Sequence, residues 1–284
     1  MSEQCVRARR AAHAGRARAE SLIAGEHPLR TPGPGLEFVG IREYALGDDF
    51  RRIDWRVSAR VGLGLEKLFV REYSAEKRAR LAYLVDLTGS MRFKGKFERL
   101  AYALALHARI SEALRDEVAL ITLSDRVQAY GFSSPMAAVE HVLKRLCSGG
   151  VYGSLDLRDA SIYIAGYQWG LPVAVYTDYA NSIEGFARIY SLSRAAGGSV
   201  RFYVFTAPGE KGFQGGGWGL PLLEEETSAL SLAHLDEFSV MVQRHILLLR
   251  SRLPPRFLVE VPVMDGTLEL RRLITSYMEL RRKA

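Results

Sequence analysis

Residues 80–91 read RLAYLVDLTGSM. The run at 81–85 is apolar at every position, which marks a strand buried on both faces rather than one with a wet side. It ends in Asp86-Leu87-Thr88-Gly89-Ser90, three oxygen-bearing side chains at alternate positions in a tight turn. Outward from this point the pattern alternates. KFERLAYALALHARISEAL (96–114) has the apolar spacing of a helix, VALITLS (118–124) is a second buried strand, and VQAYGF (127–132) reads as its hairpin partner. PMAAVEHVLKRL (135–146), with Pro at its start, and LDLRDASIYIAGYQ (155–168) are helices. PVAVYTD (172–178) and SVRFYVFT (199–206) are strands flanking the helix IEGFARIYSLSRAA (183–196). Beyond a Gly-rich loop (209–219) and a hairpin at 222–235, a helix (237–253), a strand (256–263) and a closing helix (268–283) complete the chain. Strands separated by helices of this length predict right-handed crossovers and an α/β class fold, a doubly wound, mostly parallel sheet.

Upstream the reading is different. Residues 4–24 have helical potential, and GEHPLRTPGPG (25–35) is a linker. Residues 36–73 read as a small, densely charged β-rich module of three strand segments, LEFVGIREY, IDWRVSAR and LEKLFVREY, joined by turns at LGDD and VGLG. The expected organisation is a first region at 1–75 and a main α/β domain at 76–284.

Composition narrows the function classes. The N-terminus has no apolar core of the signal-peptide kind, and no run is long enough to cross a bilayer. Two distant cysteines, Cys5 and Cys147, do not form a disulfide framework, so a cytoplasmic location is expected. The net charge is +7. Residues 1–30 hold six Arg against three Glu, and 271–284 hold five basic residues against one Glu, so 31–270 sums to zero. A nucleic-acid binder carries its basic stripe on the folded body, so nucleic acid is not the expected partner.

In doubly wound sheets ligands bind beyond the carboxyl ends of the strands. Three loops there carry oxygen ligands: Asp86, Thr88 and Ser90; Ser154 in Gly153-Ser154-Leu155-Asp156; and Asp178 after Thr177. A hard cation such as Mg²⁺ or Mn²⁺ takes about six oxygens in octahedral array and readily keeps water. With few carboxylates bound directly, the ion retains positive charge and an open position for a carboxylate from a partner. Each residue also has a plain structural reading: Thr88 and Ser90 as caps of the helix at 96, Asp178 or Ser182 as the cap of the helix at 183, Ser154 as an ordinary loop serine. Taken as a set, they predict a metal site.

This constellation resembles the metal-ion-dependent adhesion site of von Willebrand factor A domains, an Asp-x-Ser-x-Ser string with a distant Thr and Asp. Thr88 departs from that string, and Ser154 stands for the distant threonine. The upstream string is more specific: Gly35-Leu36-Glu37-Phe38, Ile41-Arg42-Glu43-Tyr44, Gly47-Asp48-Asp49, Arg52-Ile53-Asp54-Trp55, Ser58-Ala59-Arg60 and Val70-Arg71-Glu72-Tyr73. It resembles the family called domain of unknown function 58, in its short form without membrane helices. The resemblance implies a non-enzymatic, metal-dependent adaptor whose partner is a MoxR-type AAA+ ATPase, in a chaperone-like or assembly role. It leaves the charged string as an ion-pair lattice or a docking face.

The alternatives are a metal-dependent phosphohydrolase and a nucleic-acid binder acting through the basic termini, against which the terminal location of the charge argues. A metal-dependent phosphohydrolase of the haloacid dehalogenase type needs a second Asp where Thr88 stands. A phosphate loop fails because Gly89 and Gly95 are separated by five residues and no hydroxyl follows Lys96.

Overall fold

The first segment is helical, α1 (Glu3–Ala24), with Cys5, Ala8, Ala12, Gly15 and Ala19 buried. These lie three or four apart, so one narrow stripe of small residues faces inward. A Cβ on Gly15 would overlap the Tyr102 carbonyl, so the close approach requires glycine. Cys5 is bonded to Cys147 across 142 residues of sequence. The bond corrects the expectation that two cysteines so distant in sequence form no disulfide framework. Disulfides persist in oxidising surroundings, so cysteine count no longer argues for a cytoplasmic location.

The structure is a computed structural model describing residues 2–24, 36–45, 48–49, 53–61, 67–75, 78–148, 153–166, 170–207, 232–263 and 270–284. The chain divides into two units, 1–20 with 79–284, and 21–78. The sequence reading groups the N-terminal helix with the small module. Its first eighteen residues instead belong to the larger unit, held by the disulfide and the buried stripe.

In the smaller unit, β1 (Leu36–Glu43) pairs antiparallel with β2 (Phe69–Ala75). Between them the segment expected as a strand is instead a helix, α2 (Trp55–Val61). The reason is Asp54: its carboxylate accepts from the Arg56 and Val57 amides and its carbonyl from the Ser58 amide, which starts a helical turn. Asp54 also pairs with Arg71 at 2.7 Å, and Arg42 grips Asp48 through both nitrogens at 2.7 Å. Interleaved charges of the string thus pair within the unit.

The larger unit carries β3 (Arg80–Asp86), α3 (Lys96–Ala113), β4 (Glu117–Leu123), β5 (Val127–Ser133), α4 (Pro135–Cys147), α5 (Leu157–Gly166), β6 (Val173–Asp178), α6 (Ile183–Ala195), β7 (Val200–Thr206), α7 (Leu232–Arg252), β8 (Leu258–Pro262) and α8 (Leu270–Arg281). The sheet order is β5-β4-β3-β6-β7-β8, with only β5 antiparallel. This is the doubly wound, mostly parallel α/β sheet predicted. Residues 232–235, expected in a hairpin, are the first turn of α7. The rest of that hairpin, the 25–35 linker and the Gly-rich loop at 209–219 fall outside the described residues. Among the described residues no helix is long and apolar enough to cross a membrane.

One face of the sheet packs Ala82, Leu84, Val175, Phe202 and Val204 against Leu157, Phe186 and Leu249 of the helices. The other face is aromatic and polar. Tyr83 and Tyr277 share a hydrogen bond of 2.5 Å, Ser111 meets the Tyr277 hydroxyl at 2.6 Å, and His107 Nδ1 meets the Tyr176 hydroxyl at 2.9 Å. Asp116 accepts from Ser111 Oγ and the Ala79 amide and pairs with Arg281 at 2.8 Å. This network fastens α8 across the unit to α3 and β3. It satisfies polar groups whose burial would otherwise be costly.

Candidate functional site

The chain leaves β3 for β4 on one side of the sheet, whereas β6 leads to β7 on the other. The carboxyl ends of β3 and β6 therefore flank the switch point where a crevice must open. Asp86 and Asp178 end these two strands, and both are fully buried.

Asp86 accepts four hydrogen bonds. Its Oδ1 takes the Thr88 amide at 2.9 Å and the Thr88 hydroxyl at 2.6 Å. Its Oδ2 takes the Thr177 hydroxyl and the Asn181 amide, each at 2.7 Å. Even so, burial and the nearby charge of Asp178 raise its pKa from 3.8 to about 6. Two carboxylates brought together away from water repel each other unless a cation lies beside them.

The hydroxyl pair is placed to help. Thr88 Oγ1 spends its proton on Asp86, which leaves its lone pairs free, and Ser90 Oγ lies 3.3 Å from it. Adjacent oxygens on an octahedral ion with bonds near 2.1 Å sit about 3 Å apart, so the pair fits two neighbouring ligand positions. Of the capping alternatives, Ser182 is the one that holds. Thr88 makes no side-chain cap bond, Gly95 is the N-cap of α3, and α6 is capped by Ser182, whose hydroxyl accepts from the Gly185 amide. The Asp178 Oδ1 atom instead accepts from the Ala180 amide.

The structure thus joins Asp86, Thr88 and Ser90 by hydrogen bonds and brings Asp178 within electrostatic reach of Asp86. The third loop arrives beside them, since the Gly153 carbonyl accepts from the Gly89 amide at 3.2 Å. Ser154 in that loop is exposed. Its neighbour Asp156 is engaged elsewhere, accepting from the Ser182 amide at 2.6 Å and the Ser182 hydroxyl at 3.0 Å.

Three residues were passed over in the sequence. Thr177 and Asn181 orient Asp86, and Asn181 Oδ1 also accepts from the Leu157 amide, tying the start of α5 to the site. The third is Lys96. Its ammonium, 3% exposed, bonds Asp178 Oδ2 at 2.8 Å and reaches the Ser90 carbonyl at 3.4 Å. The Thr-Asp pair at the end of β6 was a visible signal for Thr177. Nothing local signalled Lys96, ten residues past Asp86 at the start of an ordinary helix.

Among the described residues there is no group of three or more His, Cys, Asp or Glu side chains arranged to hold a metal. A divalent ion at the switch point would be held by Thr88, Ser90 and the two carboxylates, with water for the remainder. Hydroxyl-rich sets of this kind suit Mg²⁺ or Mn²⁺ and not zinc, which favours nitrogen and sulfur.

Fold and site together define the class: a doubly wound α/β domain with two buried carboxylates, Asp86 and Asp178, at its switch point. Residues 40–157 match the family model described as "Protein of unknown function DUF58", the family that the charged string resembles. Uncharacterized proteins of Mycobacterium tuberculosis (strain H37Rv) and Mycobacterium bovis are 35% identical over 74 residues, covering 26% of this chain and 22% of theirs. The match spans about a fifth of the length of those relatives. Similar solved structures include the conserved hypothetical protein BatB from Bacteroides thetaiotaomicron, with 14% identity, 72% of this chain, all of that chain and a TM-score of 0.41. An aerotolerance-related membrane protein from Bacteroides fragilis has 13% identity, 71% and 99% coverage and a TM-score of 0.42. A von Willebrand factor type A structure from Catenulispora acidiphila has 10% identity, 76% and 45% coverage and a TM-score of 0.35.

Proposed function

We propose that this protein is a metal-dependent protein-interaction module and not an enzyme. The observation that carries the reading is the buried Asp86–Asp178 pair at the switch point, with the Thr88 and Ser90 hydroxyls 3.3 Å apart beside it. Mg²⁺ or Mn²⁺ is the proposed ion, held by Asp86, Thr88, Ser90 and Asp178, with Ser154 as the proposed third-loop hydroxyl. Bound there, the ion would supply a Lewis-acidic position able to take one carboxylate oxygen from outside. The chain's own residues do the rest. Thr177 and Asn181 fix the Asp86 carboxylate, and the Thr88 amide and hydroxyl hold the turn that presents Ser90.

The proposed occupant of the open position is an Asp or Glu side chain of a partner protein. A MoxR-type AAA+ ATPase is the proposed partner, on the strength of the family resemblance, and the charged module at 36–73 is a second surface it could use. The test is direct binding of the purified ATPase to the immobilised chain with Mg²⁺, with Mn²⁺ and with EDTA. The expected result is capture that EDTA reverses and Ser90→Ala weakens. Capture indifferent to EDTA overturns the metal-dependent mechanism.

A further inference from the structure

Lys96 has no task in the interaction reading, and physical chemistry is against a lysine at its position on two counts. Burying an ammonium is costly unless it is paired, and the side chain is 3% exposed. It is also the first residue of α3, where the positive end of the helix dipole disfavours a cation. The backbone nonetheless bends to deliver it. After the turn that follows Ser90, Phe93 is extended, and Lys94 (φ 41°) and Gly95 (φ 81°) are both left-handed. That path returns the chain toward the strand ends, so that the Lys96 ammonium meets Asp178 Oδ2 at 2.8 Å with the Phe93 ring 6.0 Å away. What offsets the costs is the pair of fully buried carboxylates, Asp86 and Asp178.

We infer that Lys96 is a tethered cation that holds this site in the metal-free protein and competes with the divalent ion for Asp178. The inference rests on the metal-site reading and concerns how that site is regulated. For Asp178 Oδ2 to serve an ion, the ammonium must withdraw. The flexible four-carbon stem allows this without moving α3. Metal affinity is then set by an exchange of one cation for another rather than by the filling of an empty, negatively charged hole. The wild-type chain holds the ion weakly by itself.

The test is Mn²⁺ titration of the full-length wild type, Lys96→Met and Lys96→Gln, followed by the resonance signal of free Mn²⁺ and by calorimetry. Both variants should bind one Mn²⁺ at least about tenfold more tightly than the wild type, because the carboxylates then have no other cation. Should Lys96→Met fail to fold, Lys96→Gln carries the comparison, since its amide can still donate to Asp178. Equal affinity in wild type and variant overturns the tethered-cation role and leaves the metal site standing. Absence of Mn²⁺ uptake by all of them removes the metal site itself, and the tethered cation with it.

Discussion

Ser90→Ala should separate metal binding from folding, and its size follows from what Ser90 touches. The side chain is half-buried, and its hydroxyl meets Thr88 Oγ1 at 3.3 Å, a long hydrogen bond. The Lys96 contact is to the Ser90 carbonyl and survives the substitution. Loss of one such bond costs less than about 1 kcal/mol in the metal-free protein. Metal linkage is larger. At a free Mn²⁺ concentration of about 100 times Kd, the wild type gains about 2.7 kcal/mol. Loss of a directly binding oxygen should weaken affinity by at least about tenfold, and the same concentration then gives the variant about 1.4 kcal/mol or less. Asp86→Ala is a poorer probe, because it strands the Thr177 hydroxyl and the Asn181 amide in the interior. The assay is urea unfolding followed by circular dichroism, with Mn²⁺ and with EDTA. A Ser90→Ala protein whose Mn²⁺-dependent midpoint shift equals that of the wild type would refute the assignment of Ser90 as a ligand.

Three further outcomes are expected. Burial pushes the His107 pKa down from 6.5 to about 3, so the unfolded chain takes up a proton in that window and the folded chain does not. Stability is therefore lost as pH falls below about 6.5, by up to about 1.4 kcal/mol per pH unit, and His107→Phe removes this component; a wild-type-minus-variant difference that stays flat between pH 6.5 and 4.5 contradicts it. Protein purified without reductant and then denatured should show no free thiol by Ellman titration, and two after reduction, and reduction should destabilise the fold by at most about 5 kcal/mol for a loop of this length; free thiols before reduction refute the Cys5–Cys147 bond. With Mg²⁺, the protein should not hydrolyse p-nitrophenyl phosphate, and hydrolysis abolished by Asp86→Asn would return the protein to the enzymes.

The sheet was legible because a strand buried on both faces has to be apolar at every position, as 81–85 and 173–176 are. The small module misled at 53–60, where Val57 and its neighbours have strand propensity but the Asp54 carboxylate captures two following amides and turns the chain into a helix. At the site, the alternation of Asp86, Thr88 and Ser90 was local and could be read. Asn181 could not, because its role comes from reaching 95 residues back to Asp86.

By itself, then, the sequence determined the order of strands and helices from β3 to β7, the class of the sheet and the two carboxylates that end its central strands, since each of these depends on short-range pattern and hydrophobic period. Only the tertiary structure decided that Cys5 meets Cys147 and that Lys96 lies against Asp178. Both pairings join residues 142 and 82 positions apart, and no local preference encodes them. They exist because α1 lies against α3 and α4, and α3 against the sheet, which leaves a small stripe and a buried negative charge that those side chains meet.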